Sequence, residues 1–139
     1  MIDMSTRSAV ILAAGKGTRM QSDLPKVAHE VAGAPMVLWV ARACAEAGCT
    51  RIVLVVGYEQ AVVRRIFEAD DLPVEFVVQS EQLGTGHAVM CAKGALESEA
   101  REEGNEVFVL AGDGPLISAG TLASIAERHT RAGASATLA

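Results

Sequence analysis

Short apolar runs alternate with segments of helical periodicity along the chain, and this alternation constrains the fold more than any other feature of the sequence. The runs are rich in Val, Ile and Leu, which is typical of strands buried on both faces. Strands separated by helices of this length form a parallel sheet by right-handed crossovers. The pattern therefore predicts an α/β fold with a doubly wound, Rossmann-like, mostly parallel sheet. The predicted strands are 8–13, 51–57, 74–79 and 106–111, with the start of a fifth at 134–139.

Apolar residues at helical spacing predict helices between these strands. Pro35 can occupy the first turn of the first helix, and Gly48 can end it. Gly94 weakens the third helix by about 1 kcal/mol relative to Ala. Ser118 or Gly120 can cap the fourth. The predicted helices are 35–48, 59–69, 86–96 and 118 to about 132, and the charged segment 97–105 is expected to be a solvated connection.

Composition limits the class of protein. A length of 139 residues predicts one domain, 1–139. The net charge of −5 and the lack of a basic run argue against a general nucleic-acid or anionic-membrane surface. No apolar signal core or membrane-spanning run is evident, so we expect a cytoplasmic protein. The three cysteines, Cys44, Cys49 and Cys91, lack Cys-x-x-Cys spacing and are expected to be buried residues rather than nucleophiles or metal ligands.

The first predicted strand runs directly into a turn rich in glycine and followed by cations, 12–26. Gly15 and Gly17 open the backbone there, and Arg19 and Lys26 follow. A strand that ends in such a turn leaves backbone N–H groups pointing the same way, which attracts phosphates. Arg19 offers a planar fork and Lys26 a point charge on a flexible stem. The stretch therefore predicts a phosphate-handling loop.

Two other unusual loops, 79–86 and 112–115, also follow predicted strands. In doubly wound sheets, ligands bind beyond the carboxyl ends of the strands, near a topological switch point. We therefore expect the three loops to converge on one rim and to form a nucleotide site. The two common glycine fingerprints do not apply: Met20 stands where the dinucleotide motif needs its third glycine, and no Gly-Lys-Ser/Thr follows at P-loop spacing. A dehydrogenase is therefore disfavoured.

The longer pattern is more specific. Leu-Ala-Ala-Gly-x-Gly-Thr-Arg-Met, followed by Leu-Pro-Lys ending at Lys26, resembles the signature of the sugar-phosphate nucleotidyltransferases. Gln-Ser-Glu-Gln-Leu-Gly-Thr-Gly-His-Ala, from Gln79, resembles the N-terminal uridylyltransferase (pyrophosphorylase) domain of the bacterial bifunctional enzymes that make UDP-N-acetylglucosamine. Ala-Gly-Asp-Gly-Pro-Leu, around Asp113, resembles the metal-binding motif of that family. The motifs occur in the order of the family, and the match covers the chain.

The resemblance implies the nucleotide-diphospho-sugar transferase fold and a reaction: UMP passes from UTP to N-acetylglucosamine 1-phosphate, giving UDP-N-acetylglucosamine and pyrophosphate for cell-envelope synthesis. It implies that Arg19, Lys26 and Asp113 are catalytic, that Lys26 lies near the reacting α-phosphoryl group, and that Asp113 carries the cofactor Mg²⁺. The nucleotide-binding residues that it implies are Leu12, Ala13, Ala14, Gly15, Lys26, Gln79, Gly84, Thr85, Ala111, Gly112 and Asp113.

The chemistry of nucleotidyl transfer is consistent with these residue types. A phosphate oxygen attacks the α-phosphorus in line, and since both groups are anionic, catalysis is mainly charge neutralisation and alignment. One carboxylate suffices to carry a Mg²⁺ that keeps several waters. Other interpretations stay open: Asp113 as a turn residue, or Arg19 paired with Asp23 or Glu30. His87, at a helix start, is expected to be structural rather than a catalytic base.

The sequence departs from the family at two positions. The family frequently has an aromatic residue at the position of Ala111 and a larger residue at that of Gly114. We expect both differences to affect the affinity for substrates rather than the type of reaction. In the family, the sugar contacts, a second metal ligand (an asparagine) and a trimerising β-helix with acetyltransferase activity lie beyond the region matched here. The resemblance thus implies a nucleotide-binding part that is weakly active alone and can be a monomer, from a homotrimeric parent. The alternatives are another sugar-phosphate nucleotidyltransferase or a non-catalytic nucleotide-binding module.

Overall fold

A parallel sheet of four strands forms the centre of the molecule in this computed structural model, which describes residues 6–139. The strands along the chain are β1 (Arg7–Ala13), β2 (Glu30–Val31), β3 (Ala34–Pro35), β4 (Cys49–Val56), β5 (Val74–Val78) and β6 (Glu106–Ala111). The large sheet has the order β5-β4-β1-β6, and β2 and β3 form a separate antiparallel pair. The α/β class and the parallel sheet predicted from the sequence are confirmed.

Helices cover both faces of the sheet. They are α1 (Met36–Glu46), α2 (Gln60–Ile66), α3 (Thr85–Ala92) and α4 (Ala119–Ala132), with 3-10 turns at Thr18–Met20, Lys26–Ala28, Gly94–Leu96 and Glu99–Arg101. Residues of α1, α2 and α4 share one hydrophobic core with β1 and β4, and α3 packs on the opposite face. The chain therefore forms three layers, with the sheet in the middle.

β4 shows why the sheet is so apolar. Ile52, Leu54 and Val56 belong to the core under α1, whereas Val53 and Val55 belong to the core under α3. All of them have 0% exposure. Burying such a side chain contributes roughly 1.5–3 kcal/mol. β4, which is buried on both faces as the sequence pattern predicts, therefore contributes strongly to stability.

The connections place the switch point beside β1. The chain passes from β1 to β4 and on to β5 in one direction, with α1 and α2 on one face. It then returns across the sheet to β6 with α3 on the other face. Right-handed crossovers that run in opposite directions must use opposite faces of the sheet. The direction of the connections therefore reverses between β1 and β6. The loops after these two strands thus flank the position where such folds bind ligands.

The predicted fifth strand at 134–139 is wrong, because these residues form no strand. Gly133 ends α4 in a left-handed conformation (φ 59°), and the N–H of Ala134 donates to the carbonyl of His129. The hydroxyl of Thr137 lies 2.9 Å from His129 Nδ1. The segment thus folds back along the helix end and does not reach the sheet.

Other differences from the predicted elements are local. The predicted helix 86–96 ends as an α-helix at Ala92, and a 3-10 turn follows at Gly94–Leu96, where glycine lowers helix propensity. The connection 97–105 contains a 3-10 turn. The hairpin of β2 and β3 was not predicted, and it reverses through Ala32 and Gly33, both at positive φ. Within residues 6–139 no helix is both long and apolar enough to cross a bilayer.

The cysteines behave largely as expected. Cys44 and Cys49 are buried at the end of the sheet opposite to the carboxyl ends of the strands, and Cys91 is half-buried. A hydrogen bond with Cys49 raises the pKa of the Cys44 thiol, and burial raises this pKa further. Cys44 therefore stays protonated and is no nucleophile. The described part of the chain contains no group of three or more His, Cys, Asp or Glu that could hold a metal ion.

The central role of β4 predicts a large loss of stability on truncation. Leu54 has 0% exposure, so Leu54→Ala should lower the free energy of unfolding by about 2–5 kcal/mol. Leu138 is 98% exposed, and Leu138→Ala, the same chemical change, should stay within about 0.5 kcal/mol. Urea unfolding followed by circular dichroism measures both. Equal effects of the two substitutions would contradict the assigned core.

Candidate functional site

The carboxyl ends of β1, β4 and β5 are tied together by one carbonyl group. The carbonyl oxygen of Ala14, directly after β1, accepts from the N–H of Tyr58 at 3.3 Å and from Nε2 of Gln82 at 3.0 Å. Tyr58 follows β4, and Gln82 follows β5. The loops that the sequence analysis placed on one rim are therefore in contact there, and Gln82, to which the sequence assigned no distinct role, holds them together.

Gly17 fixes the shape of the first loop. Its φ of +69° lies in the left-handed region that favours glycine. A Cβ atom at this position would lie 2.5 Å from the Cβ of Lys26, so the loop can cross over Lys26 only with glycine there. Gly15, in contrast, has no atom within 4 Å of an added Cβ. The shape of the loop therefore requires glycine at position 17, whereas position 15 has space for a larger side chain.

Lys26 and Asp113 meet across the switch point. Nζ of Lys26 lies 2.6 Å from Oδ2 of Asp113, and the two side chains are 44% and 33% exposed. Gly112 permits this approach, because a Cβ atom there would lie 2.9 Å from the carbonyl oxygen of Leu12. An ion pair this exposed is worth only about 0–1 kcal/mol. Either group can therefore exchange its partner for a ligand at little cost.

The segment that carries Lys26 is firmly held. Pro25 is fully buried, and Val27 and Ala28 are buried behind it. Nδ1 of His29 lies 3.1 Å from the carbonyl oxygen of Lys26. The Cα of Lys26 is thus fixed while its side chain reaches the open rim, which suits a cation that must find a phosphate.

Other cations surround the same open region. Arg19 and Lys16 line a depression of about 450 Å³ together with Lys26. Nζ of Lys16 lies 5.0 Å from the centre of the Tyr58 ring. In residues 6–139 neither Lys16 nor Arg19 forms a salt bridge, so the considered pairing of Arg19 with Asp23 or Glu30 does not occur there. No role was predicted for Lys16 from the sequence, although its place between the two glycines of the loop is the signal that could have identified it.

Gln79 occupies the rim on the side of β5. It is 3% exposed, and its backbone N–H donates to the carbonyl of Val56 at 2.8 Å. Its side-chain Nε2 lies 3.3 Å from the carbonyl oxygen of Gly84 and 3.0 Å from Nδ1 of His87. Gly84, at φ 95°, precedes α3 and turns the chain so that this carbonyl faces Gln79. The amide of Gln79 is thus buried and held in one orientation.

The remaining predicted residues lie at the same edge with different exposure. Leu12 and Ala13 form the end of β1, and the carbonyl of Leu12 is used by the N–H of Gly112 at 2.9 Å. Ala111, at the end of β6, and Thr85, at the start of α3, are exposed. These positions line the rim mainly through backbone, and their part in binding a nucleotide stays a prediction.

A magnesium ion fits Asp113 only together with other ligands. The ammonium of Lys26 shows that a cation can reach the carboxylate, yet within the described residues Asp113 belongs to no group of three or more His, Cys, Asp or Glu that could hold a metal ion. Mg²⁺ commonly binds through one or two carboxylates, waters and the phosphates of a substrate. The donor set therefore suits a metal that arrives with a polyphosphate.

Comparison with known proteins agrees with this geometry. The family model described as the MobA-like NTP transferase domain matches residues 9–139. The chain is 50% identical to the bifunctional protein GlmU of Syntrophomonas wolfei over 94% of its own length and 28% of that protein. Against the protein of the same name from Geobacter metallireducens, the identity is 47%, over 97% of this chain and 27% of that protein. The chain thus spans little more than a quarter of these relatives.

A solved structure has the same fold. The UDP-glucose pyrophosphorylase from Acinetobacter baumannii superposes with a TM-score of 0.72 at 25% identity, covering 92% of this chain and 54% of that one. A nucleotidyl transferase from Methanothermobacter superposes with a TM-score of 0.66 at 24% identity, over 88% of this chain and 57% of that one, and this likeness concerns the fold.

The contrast between the two glycines predicts different costs of substitution. Gly17→Ala should destabilise the protein by about 1–3 kcal/mol, because the new Cβ would collide with Lys26 and because alanine would be strained in the left-handed conformation of residue 17. Gly15→Ala meets open space and should change the free energy of unfolding by less than about 0.5 kcal/mol. Urea unfolding compares them directly. A larger effect at Gly15 would show that the loop has another shape.

Proposed function

The chain belongs to the MobA-like NTP transferase domain family, and we propose that it forms the nucleotide half of a sugar-phosphate nucleotidyltransferase site. More specifically, we propose that UTP donates UMP to N-acetylglucosamine 1-phosphate, giving UDP-N-acetylglucosamine and pyrophosphate. The proposal of these substrates is supported by the motif around Gln79 and by the identity to the GlmU proteins.

The contact between Lys26 and Asp113 carries this proposal. It brings an ammonium group and a carboxylate to 2.6 Å from each other, at the switch point between β1 and β6. A nucleotidyltransferase needs this pair of groups at one place, since the attacking oxygen and the α-phosphate are both anionic. A module that only bound a nucleotide would not require a metal carboxylate beside the phosphate cation.

The residues of the rim would have different roles, according to their charge and position. Lys26 would leave Asp113 and move onto the α-phosphate, where its charge opposes the negative charge that develops during transfer. Arg19 would neutralise the phosphates from the first loop. Mg²⁺, when bound to Asp113 with the nucleotide, would supply further charge neutralisation and alignment of phosphate oxygens. Gln79, Gly84 and Thr85 would receive the base.

The second substrate requires more than these residues. We propose that the sugar contacts, a second metal ligand and the homotrimer interface belong to the parts of the longer relatives that this chain does not match. On this proposal the chain alone binds UTP with Mg²⁺ weakly and N-acetylglucosamine 1-phosphate still less. We also propose a cytoplasmic location, where UTP is available.

Titration calorimetry of UTP into the chain, with and without MgCl₂, tests the metal role of Asp113. For the wild type, Mg²⁺ should strengthen UTP binding, and Asp113→Asn should weaken binding in the presence of Mg²⁺ by about tenfold or more. Asp23→Asn, which removes a carboxylate of the first loop, should keep the Mg²⁺ effect. An Asp113→Asn variant that still responded fully to Mg²⁺ would refute the metal role.

The ion pair predicts competition between Lys26 and a divalent cation. Without nucleotide, Mn²⁺ should bind the wild type poorly, and Lys26→Met should improve this binding by about fivefold or more, because a positive charge beside Asp113 is removed. The same variant should bind UTP more weakly. Electron paramagnetic resonance of free Mn²⁺ measures the first effect.

Lys16→Met is the matched control, since it makes the same change of charge while Lys16 lies against Tyr58. Mn²⁺ binding should change little in this variant. An equal gain in both variants would mean that only the net charge matters and that Lys26 does not occupy the metal position.

A further inference from the structure

The orientation of the Gln79 amide is fixed by its surroundings. Its Nε2 lies 3.3 Å from the carbonyl oxygen of Gly84. A carbonyl can only accept hydrogen bonds, so the nitrogen of the amide, and not its oxygen, must face it. The N–H of Ala88 donates to the same carbonyl at 3.1 Å, which couples this oxygen to the first turn of α3. A flipped amide would place two oxygens against each other.

His87 completes this arrangement. Its Nδ1 lies 3.0 Å from the same Nε2 of Gln79. Because Nε2 carries two hydrogens and no acceptor, Nδ1 must accept, which requires a neutral ring protonated at its other nitrogen. The ring is held in place from α3, whose Ala88 and Ala92 are buried against the sheet. Both hydrogens of the amide nitrogen thus have fixed partners within the protein.

The oxygen of the same amide is left for a ligand. Within residues 6–139 no hydrogen bond reaches Oε1 of Gln79, and this atom is not among the buried polar atoms that lack a partner. Oε1 is therefore not fully enclosed, and it has a free acceptor position. The ring of uracil presents an N–H at N3, which can donate to it, whereas cytosine has an acceptor at N3.

We propose that His87 is a specificity-positioning residue: it holds the Gln79 amide with its oxygen outward and so selects uracil over cytosine. The inference rests on the proposed function, which places a nucleotide base at Gln79. Without the acceptor at Nδ1, only the Gly84 carbonyl opposes a turn of the amide that would bring its nitrogen outward toward cytosine. His87 acts through Gln79 and transfers no proton.

Binding of UTP and of CTP, each with Mg²⁺, to the same protein tests this inference. The wild type should prefer UTP by about tenfold or more, because a site built to pair with an N–H leaves its acceptor unpaired with cytosine. His87→Phe removes one of the two acceptors and should lower the ratio of the two affinities by about threefold or more, because only the Gly84 carbonyl then opposes the turned amide. His87→Asn offers an amide oxygen to Gln79 and should restore most of the preference for UTP.

The ratio of UTP affinity to CTP affinity is measured within one variant, so a loss of folded protein does not change it. His87→Ala is a second variant that lacks the acceptor. His129→Phe makes the same change at α4, where the ring lies beside Thr137, and should leave the ratio unchanged. An unchanged ratio in His87→Phe and His87→Ala, with wild-type preference for UTP, would overturn the role of His87 and leave the proposed function intact. A wild type that bound neither nucleotide would overturn both.

Nitrogen chemical shifts of the imidazole test the hydrogen bond from Gln79 to Nδ1 directly. Near neutral pH, Nδ1 of His87 should have the shift of an unprotonated nitrogen, and the ring should be protonated at Nε2. In the Gln79→Leu variant, which removes the donor, this tautomer preference should weaken. A ring of His87 protonated at Nδ1 in the wild type would contradict the inference.

Discussion

The pairing of β1 with strands on both of its sides is the constraint on which the rest of the site depends. β1 is in parallel register with β4 on one side and with β6 on the other. The loops after these strands must therefore leave the sheet side by side. Gly112 then lets the loop after β6 lie against the backbone of Leu12. Without this close approach, Lys26 and Asp113 could not touch.

The site is built from weak contacts on a rigid support. The sheet and its helices are buried and apolar, whereas the groups that face the rim are partly exposed and hold one another through exchangeable hydrogen bonds and one ion pair. Such pairs cost little to break. A ligand that brings phosphates and a metal could thus replace the internal partner of each group without disturbing the fold.

Much of the fold follows from local sequence. The apolar run of β4 and the glycine turn after β1 required nothing beyond strand patterning and turn chemistry, and the three loops were placed on one rim from topology alone. The segment 134–139 was misjudged because its composition suits a strand, while Gly133 and the contact with His129 turn it back along α4. The linkage of Gln82 to Ala14 depends on a contact between distant residues. No local pattern encodes such contacts.

The central claim is that the loops after β1, β5 and β6 form one nucleotide site. Amide chemical-shift changes on titration with UTP and MgCl₂ test it most directly. We expect the amides of Lys16, Lys26, Gln79, Gly84 and Asp113 to shift together with one apparent affinity, while residues at the opposite end of the sheet, such as Cys49, do not shift. Changes confined to the opposite end, or different affinities for the three loops, would contradict it.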